Sequence, residues 1–365
     1  MAEEAAQLDR NAYRAAIMAT AGFSRDYDAM ALSIAKWLEG RLGSEVTVSN
    51  LRVPQGAGLA NETILFEAGF TEGGERRTRG LVVRVKPTAA QLFPDPDFDG
   101  LFRLLQTLRD SGLVKAPNAL WLEQDPGIVG APFFIMDMLP ARTPVSHPNH
   151  NAVGWLAEAT PDQRRTVWTT AVEGLASVHR VPGELISFIG WPQYGPTGED
   201  QQIGYWDAYA QWCGFPMPDE VLALGDWVRK HRPHDPGIHL SWGDARIGNM
   251  MFGDDFRLAG VLDWDQMALA SPRHDLAWWL YFDNVYTAGS GVPRPAGMGE
   301  RADTIALWED RTGLKAGDMT WYEVFMLYKL GMISMKTGVA AGGSWESTAA
   351  RAKGMVEPLR AIVGF

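Results

Sequence analysis

Apolar side chains at Tyr27, Met30, Ile34, Trp37, Leu38 and Leu42 recur at the three-and-four spacing of one helix face, so a helix is expected over 24–42. Ser24 is suited to cap it and Gly43 to end it, and another helix is expected over 3–20. The pattern then turns strand-like over Val46 to Val53, Thr63 to Phe70, Gly80 to Val85, Asn118 to Glu123 and Pro132 to Leu139. From Thr160 it becomes helical again. Thr160-Pro161-Asp162-Gln163 reads as a capping box with proline at the first helical position, opening a helix that runs to about His179. His179 itself reads as a last-turn residue favoured by the helix dipole. Further helical segments cover Tyr205 to Phe215, Asp219 to Lys230, a start at Asp275, and Trp321 to Lys336. The pattern predicts an α+β chain of two lobes. Residues 1–140 hold helices (3–42) and then an antiparallel sheet, and 141–365 are mainly helical, with the boundary in the proline-rich connector after Pro140.

Composition narrows the partners. The chain has 365 residues, enough for two lobes with real cores, and a net charge of −11 that argues against nucleic acid or an anionic membrane surface. The single cysteine, Cys213, excludes an intramolecular disulfide and points to a reducing, cytoplasmic location. No apolar run approaches the ~20 residues of a membrane span, and the acidic start MAEEAAQLDR is unlike a signal peptide. His231 and His234 lack the acidic partner motif of a zinc site. Oligomeric state is not legible.

Chemistry concentrates between Ile238 and Trp279. Two apolar runs, Met250 to Phe252 and Leu258 to Leu262, flank Gly253-Asp254-Asp255, which predicts a strand, a tight turn and a strand. Asn249 stands just before the first strand and Asp263 just after the second. In an antiparallel hairpin those positions share the open end, where facing residues lie about 4.5–5.5 Å apart. Asp244 lies on the loop leading in, and Asp265 follows two residues after Asp263. Oxygen donors so spaced suit a hard cation such as Mg²⁺. An additional carboxylate beside a metal is what phosphoryl transfer needs to orient an attacking hydroxyl. Taken singly, each of these residues also fits the ordinary use of short polar side chains in turns.

The pattern G-D-x-x-x-x-N, a short hairpin, then D-W-D resembles the aminoglycoside phosphotransferase and choline kinase-like family, which has a protein-kinase-like fold. The resemblance runs from about Val46 to Phe282. It implies a small-molecule kinase that moves the γ-phosphoryl group of ATP or GTP to a hydroxyl. By position Asp244 matches the base, Asn249 and Asp263 the metal ligands, with Asp265 as a second metal ligand or a substrate contact. Asp275 matches an aspartate that braces the catalytic loop. The glycine-bearing turn around Gly56 and Gly58 would approach phosphate, Arg84 matches the strand cation that meets the triphosphate, and the main chain of Asp137 and Met138 would supply a carbonyl and an amide to the purine. Three departures stand out. The turn has Ala60-Asn61-Glu62-Thr63 where the family has serine first. Leu101 occupies the position of the acid or amide that holds the strand cation, with Asp97 and Asp99 nearby. Trp242 replaces the usual histidine. The sequence Ser241-Trp242-Gly243-Asp244 with Leu276-Ala277-Trp278-Trp279 looks closer to phosphotransferase-like domains associated with acyl-CoA metabolism than to antibiotic-resistance enzymes. Leu101 also leaves open a non-catalytic nucleotide-binding module. A metal-dependent phosphoesterase would use the same carboxylates.

Overall fold

Period-two alternation builds the first unit. A computed structural model describes residues 26–54, 62–88, 91–94, 97–146, 148–234 and 237–357. In it β1 (Thr47–Arg52), β2 (Glu62–Glu72), β3 (Glu75–Val85), β4 (Ala119–Glu123) and β5 (Phe133–Asp137) form an antiparallel sheet ordered β1-β2-β3-β5-β4. Ile64, Val83 and Ile135 lie in one row across three strands. With Phe66, Leu81 and Phe133 they face Ile34, Trp37 and Leu38 of α1 (Tyr27–Leu42) in one buried cluster. Each such side chain contributes about 1.5–3 kcal/mol by leaving water. The opposite parity faces α2 (Phe98–Ser111), where the Phe134 ring lies 5.1 Å from that of Phe98 and 5.8 Å from that of Phe102.

Two boundaries differ from expectation. α1 is capped by Asp26, whose Oδ1 accepts from the amides of Asp28 (3.1 Å) and Ala29 (3.0 Å), while Gly43 ends it in the left-handed conformation. β3 begins at Glu75, before the expected Gly80, because its exposed run Arg76 to Thr78 pairs through the backbone with Gly69 to Thr71 and needs no apolar side chains. Ser24, the helix expected over 3–20, and the turn carrying Gly56 and Gly58 lie outside the described residues.

The chain divides into two units, Met1–Leu92 with Pro96–Asp110 and Ala116–Pro140, and Phe93–Asp95 with Ser111–Lys115 and Ala141–Phe365. The second is mainly helical: α3 (Pro161–His179), α4 (Gly198–Trp212), α5 (Asp219–Lys230), α6 (Arg273–Val285), α7 (Arg301–Thr312), α8 (Thr320–Ala340) and α9 (Trp345–Val356). The capping box at α3 is formed: Thr160 Oγ1 accepts from the Gln163 amide (3.3 Å) and Gln163 Oε1 from the Thr160 amide (2.8 Å). Two short antiparallel strand pairs frame the candidate residues. β6 (His239–Ser241) pairs with β9 (Ala268–Ala270), and β7 (Met250–Phe252) with β8 (Leu258–Val261). Among the described residues no helix is long and apolar enough to cross a membrane.

Candidate active site

The β7–β8 hairpin has a longer turn than its sequence suggests. Gly253 N–H donates to Arg257 O (3.0 Å), and Phe256 takes a left-handed φ of 62°, so five residues make the reversal. At the open end Met250 pairs with Val261, and Leu262 N–H donates to Asn249 O at 2.8 Å. Asn249 therefore sits across from the residue preceding Asp263. Asp263 itself has φ 61°, a region that non-glycine residues rarely enter and that clusters at functional positions.

Asp244, on the loop after β6, is held from three sides. Trp278 Nε1 donates to its Oδ1 at 2.7 Å, Asn249 Nδ2 to its Oδ2 at 2.6 Å, and Arg246 Nε lies 3.2–3.3 Å from both oxygens. Asn249 Nδ2 also donates to Asp244 O at 3.0 Å. With the amide nitrogen turned to these acceptors, Oδ1 is left as the accepting atom of the Asn249 side chain. Arg246 is pinned further by Ser146 Oγ at 3.1 Å. Burial works to discharge the Arg246 guanidinium, but Asp244, Tyr286 and Asp263 together raise it above its ordinary value. Its field thus spans Asp244 and Asp263. Gly243, just before Asp244, has φ 91°, and a Cβ there would stand 2.1 Å from Gln266 O, so this backbone path requires glycine.

Behind the loop, Asp275 of α6 is buried and accepts four hydrogen bonds: Ser241 Oγ (2.9 Å), Trp242 N–H (2.6 Å), Gly243 N–H (2.9 Å) and His179 Nε2 (3.0 Å). Burial pushes its carboxyl up, but the hydrogen bond from His179 and those from the loop amides hold it below the usual carboxylate range. Trp308 Nε1 donates to His179 Nδ1 at 2.9 Å. An indole only donates, so Nδ1 is an acceptor and Nε2 carries the hydrogen given to Asp275. His179 ends α3 as expected, and its ring also bridges Trp308 and Asp275 as an internal strut. Trp242 is fully buried and donates from Nε1 to the carbonyls of Leu262 (2.7 Å) and Asp263 (3.1 Å). The indole thus ties the two loops together.

A recess lies against Arg246, lined by His150, Trp168, Trp279, Phe282 and Tyr286 among others. Its carboxylate, Asp283, is already clasped by Arg294, which also donates to Gly299 O. That clasp anchors the Gly- and Pro-rich segment after Ser290. Burial, and secondarily Arg246, push His150 down to about 4, so it is neutral near pH 7.

In the first unit Arg84 is buried on β3 opposite Phe134, on the sheet face that α2 covers. Leu101 is buried on α2 and brings no acid. Asp97 Oδ1 accepts from the Gly100 amide (2.8 Å) at the start of α2, and Asp99 accepts from Gln124 Nε2 (2.7 Å). The Asp137 carboxylate is engaged by Arg79 Nε (2.7 Å) and Asn118 Nδ2 (2.9 Å). The Met138 amide, expected to meet a purine, is spent on Gly80 O at 3.1 Å because β5 still runs beside β3 there. That part of the expectation fails.

Among the described residues no three His, Cys, Asp or Glu side chains gather as a ready metal cage. The expected set differs in kind, since it counts an amide oxygen, Asn249 Oδ1, with Asp263 and Asp265. Mg²⁺ takes oxygen donors, keeps several waters and binds through one or two carboxylates plus substrate phosphates, so this donor set fits it. His231 Nδ1 bonds Trp227 O at 2.9 Å and its ring stacks on that indole.

A family model described as a phosphotransferase enzyme family (APH) matches residues 57–315. The chain belongs to that family. A putative aminoglycoside phosphotransferase from Ralstonia eutropha is 23% identical, covers 89% of this chain and 95% of its own, and superposes with a TM-score of 0.64. A mutant of aminoglycoside phosphotransferase APH(4)-Ia, solved with ADP and hygromycin B, is 18% identical with a TM-score of 0.57, over 91% and 98% of the two chains. Among curated proteins, probable acyl-CoA dehydrogenase IBR3 of Arabidopsis thaliana is 27% identical over 65% of this chain and 28% of its own length. Acyl-CoA dehydrogenase family member 10 of Mus musculus is 25% identical over 82% and 25%. The chain thus spans about a quarter of each of these relatives.

For this phosphotransferase-family chain, sequence reasoning missed Arg246, Trp278, His179 and Trp308. Arg246 and Trp278 touch Asp244, and the other two support Asp275. Arg246 had one faint signal, its place two residues after Asp244 in the same loop. The rest sit in helical apolar stripes, where packing is the ordinary reading.

Proposed function

We propose that this chain transfers the γ-phosphoryl group of ATP, or GTP, to a hydroxyl of a small molecule. One observation carries the reading: Asp244 is fixed by Trp278, Asn249 and Arg246, while Asn249 faces the hairpin end that bears Asp263. Asp244 orients the acceptor hydroxyl and takes its proton as the oxygen attacks phosphorus. Asn249, Asp263 and Asp265 would hold Mg²⁺, which supplies positive charge to the phosphate oxygens when bound. Arg84 and the turn around Gly56 and Gly58 would neutralise the triphosphate, and the Asp137 carbonyl would face the purine. Acceleration comes from positioning and charge rather than a covalent intermediate.

The names of the acyl-CoA dehydrogenase relatives add hydroxyacyl thioesters to sugars, aminoglycosides and choline-like alcohols as compounds to test.

The test is a Mg-ATP-supported metabolite screen by mass spectrometry with two variants. Asp244→Ala is expected to abolish transfer yet keep its thermal shift with Mg-ATP, whereas Asp263→Ala weakens that shift. Normal turnover by both variants would refute the assignment. Nucleotide binding by the wild type without transfer or phosphate release favours the binding module that buried Leu101 motivates.

A further inference from the structure

Lys329 lies in α8 among buried apolar neighbours, and its own side chain is buried with them. Sealing an ammonium from water costs several kcal/mol unless partners compensate. Its partners converge on Asp244. Nζ donates to Gly243 O at 2.6 Å. It stands 4.3 Å from the centre of the Trp278 ring and 5.4 Å from that of Trp206. Trp278 in turn donates its indole N–H to Asp244 Oδ1. The cation thus reaches the carboxylate through the preceding peptide, through the indole, and through space.

Resting on the assignment of Asp244 as the proton acceptor, the geometry points to Lys329 as a positioning residue whose charge sets the Gly243–Asp244 peptide and strengthens the Trp278 hydrogen bond to Asp244. A cation over an indole face is attracted to the ring's electrons and draws on them, which makes the ring N–H a better donor. Loss of the proton from Nζ removes that pull and the charge on the Gly243 contact together.

Burial pushes the Lys329 ammonium down to about 8, against Asp275 and Asp244, which hold it up. The other groups facing it keep their state in this range. On α6, burial and then Lys329 push His274 down to about 3, so it stays neutral, and Asp275 stays ionised. α4 contributes the uncharged Trp206 ring. Below about 8 the cation is present and Asp244 is fully supported; above it that support is withdrawn.

The experiment follows the Trp278 indole ¹⁵N–¹H resonance of the full chain, assigned with Trp278→Phe, from about pH 6 to about pH 9.5, a span centred near the Lys329 midpoint. The wild-type resonance should move with a midpoint near 8, and Lys329→Met should abolish the movement. A resonance that stays flat in the wild type, or titrates unchanged in Lys329→Met, overturns the proposal, and the wild-type arm needs no variant to fold. Phosphate release from Mg-ATP is the second readout. Lys329→Met should lower kcat roughly 10–100-fold, the size seen when an outer supporting partner is lost. KM for ATP should stay unmoved and the alkaline fall in rate should vanish. A uniform loss with the alkaline fall retained marks a merely structural role and overturns the proposal. Asp244→Asn separates the two claims: unimpaired phosphate release by that variant refutes the role of Asp244, whereas the indole titration judges Lys329 by itself.

Discussion

Gly243 shows how narrow the tolerance is beside Asp244. Its left-handed φ and the 2.1 Å approach of Gln266 O leave no room for a methyl group. Gly243→Ala is expected to cost roughly 3 kcal/mol or more, from strain and a displaced backbone, and to abolish transfer; a urea melt with an activity assay checks both. Trp242→Phe keeps the ring but removes the donor to Leu262 O and Asp263 O. Leaving those acceptors without their donor should cost about 1–3 kcal/mol and weaken Mg-ATP binding, measured by calorimetry, because Asp263 loses its tether. At this scale much of the site was legible. Asp244, Asn249 and Asp263 announce themselves because hairpin geometry is local and short polar residues at its open end are conspicuous. Arg246, Trp278 and Lys329 do not. Their roles are created by α6 and α8 meeting the loop, and spacing along the chain carries no record of that meeting.

Among elements, α6 matters most, since Asp275 in its first turn gathers Ser241, Trp242, Gly243 and His179 around one carboxylate. Its folded-state pKa lies below the ordinary value. The stability it lends is therefore complete at neutral pH and is lost as pH falls below about 4 through the folded-state value. Asp275→Asn should cost roughly 3–5 kcal/mol near pH 7, and denaturant melts at a series of pH values should show the gap to the wild type closing under acid. The elements themselves were readable wherever side-chain periodicity was one-sided, as in α1, α3, α5 and the inner halves of β2 and β3. The outer half of β3 was hidden because arginines and a threonine fill it. The cap of α1 was misplaced by two positions because Ser24 and Asp26 are both good cap residues, and only backbone geometry chooses between them.

For the whole molecule, the single cysteine is a natural reporter. Cys213 is buried, and burial pushes its thiol up to about 11, with Lys336 and Tyr209 pulling the other way. The thiolate is the reactive form. Labelling by a thiol reagent in native buffer is therefore expected to be slow and to accelerate in step with denaturant-induced opening of the second unit; fast native labelling would contradict the packing around it. The two-lobed kinase-like expectation came from the motif between Gly243 and Asp265 more than from composition. The net charge of −11 argues only against strongly anionic partners and does not distinguish among small-molecule acceptors.

Trp242 has one more consequence. Imidazole exists in two protonation states near neutrality, whereas an indole N–H is unchanged across the whole range in which the protein is folded. A clamp on the Asp263 loop made of indole is blind to acidity. The Asp263 loop should therefore keep this tether in surroundings acidic enough to loosen one made of imidazole.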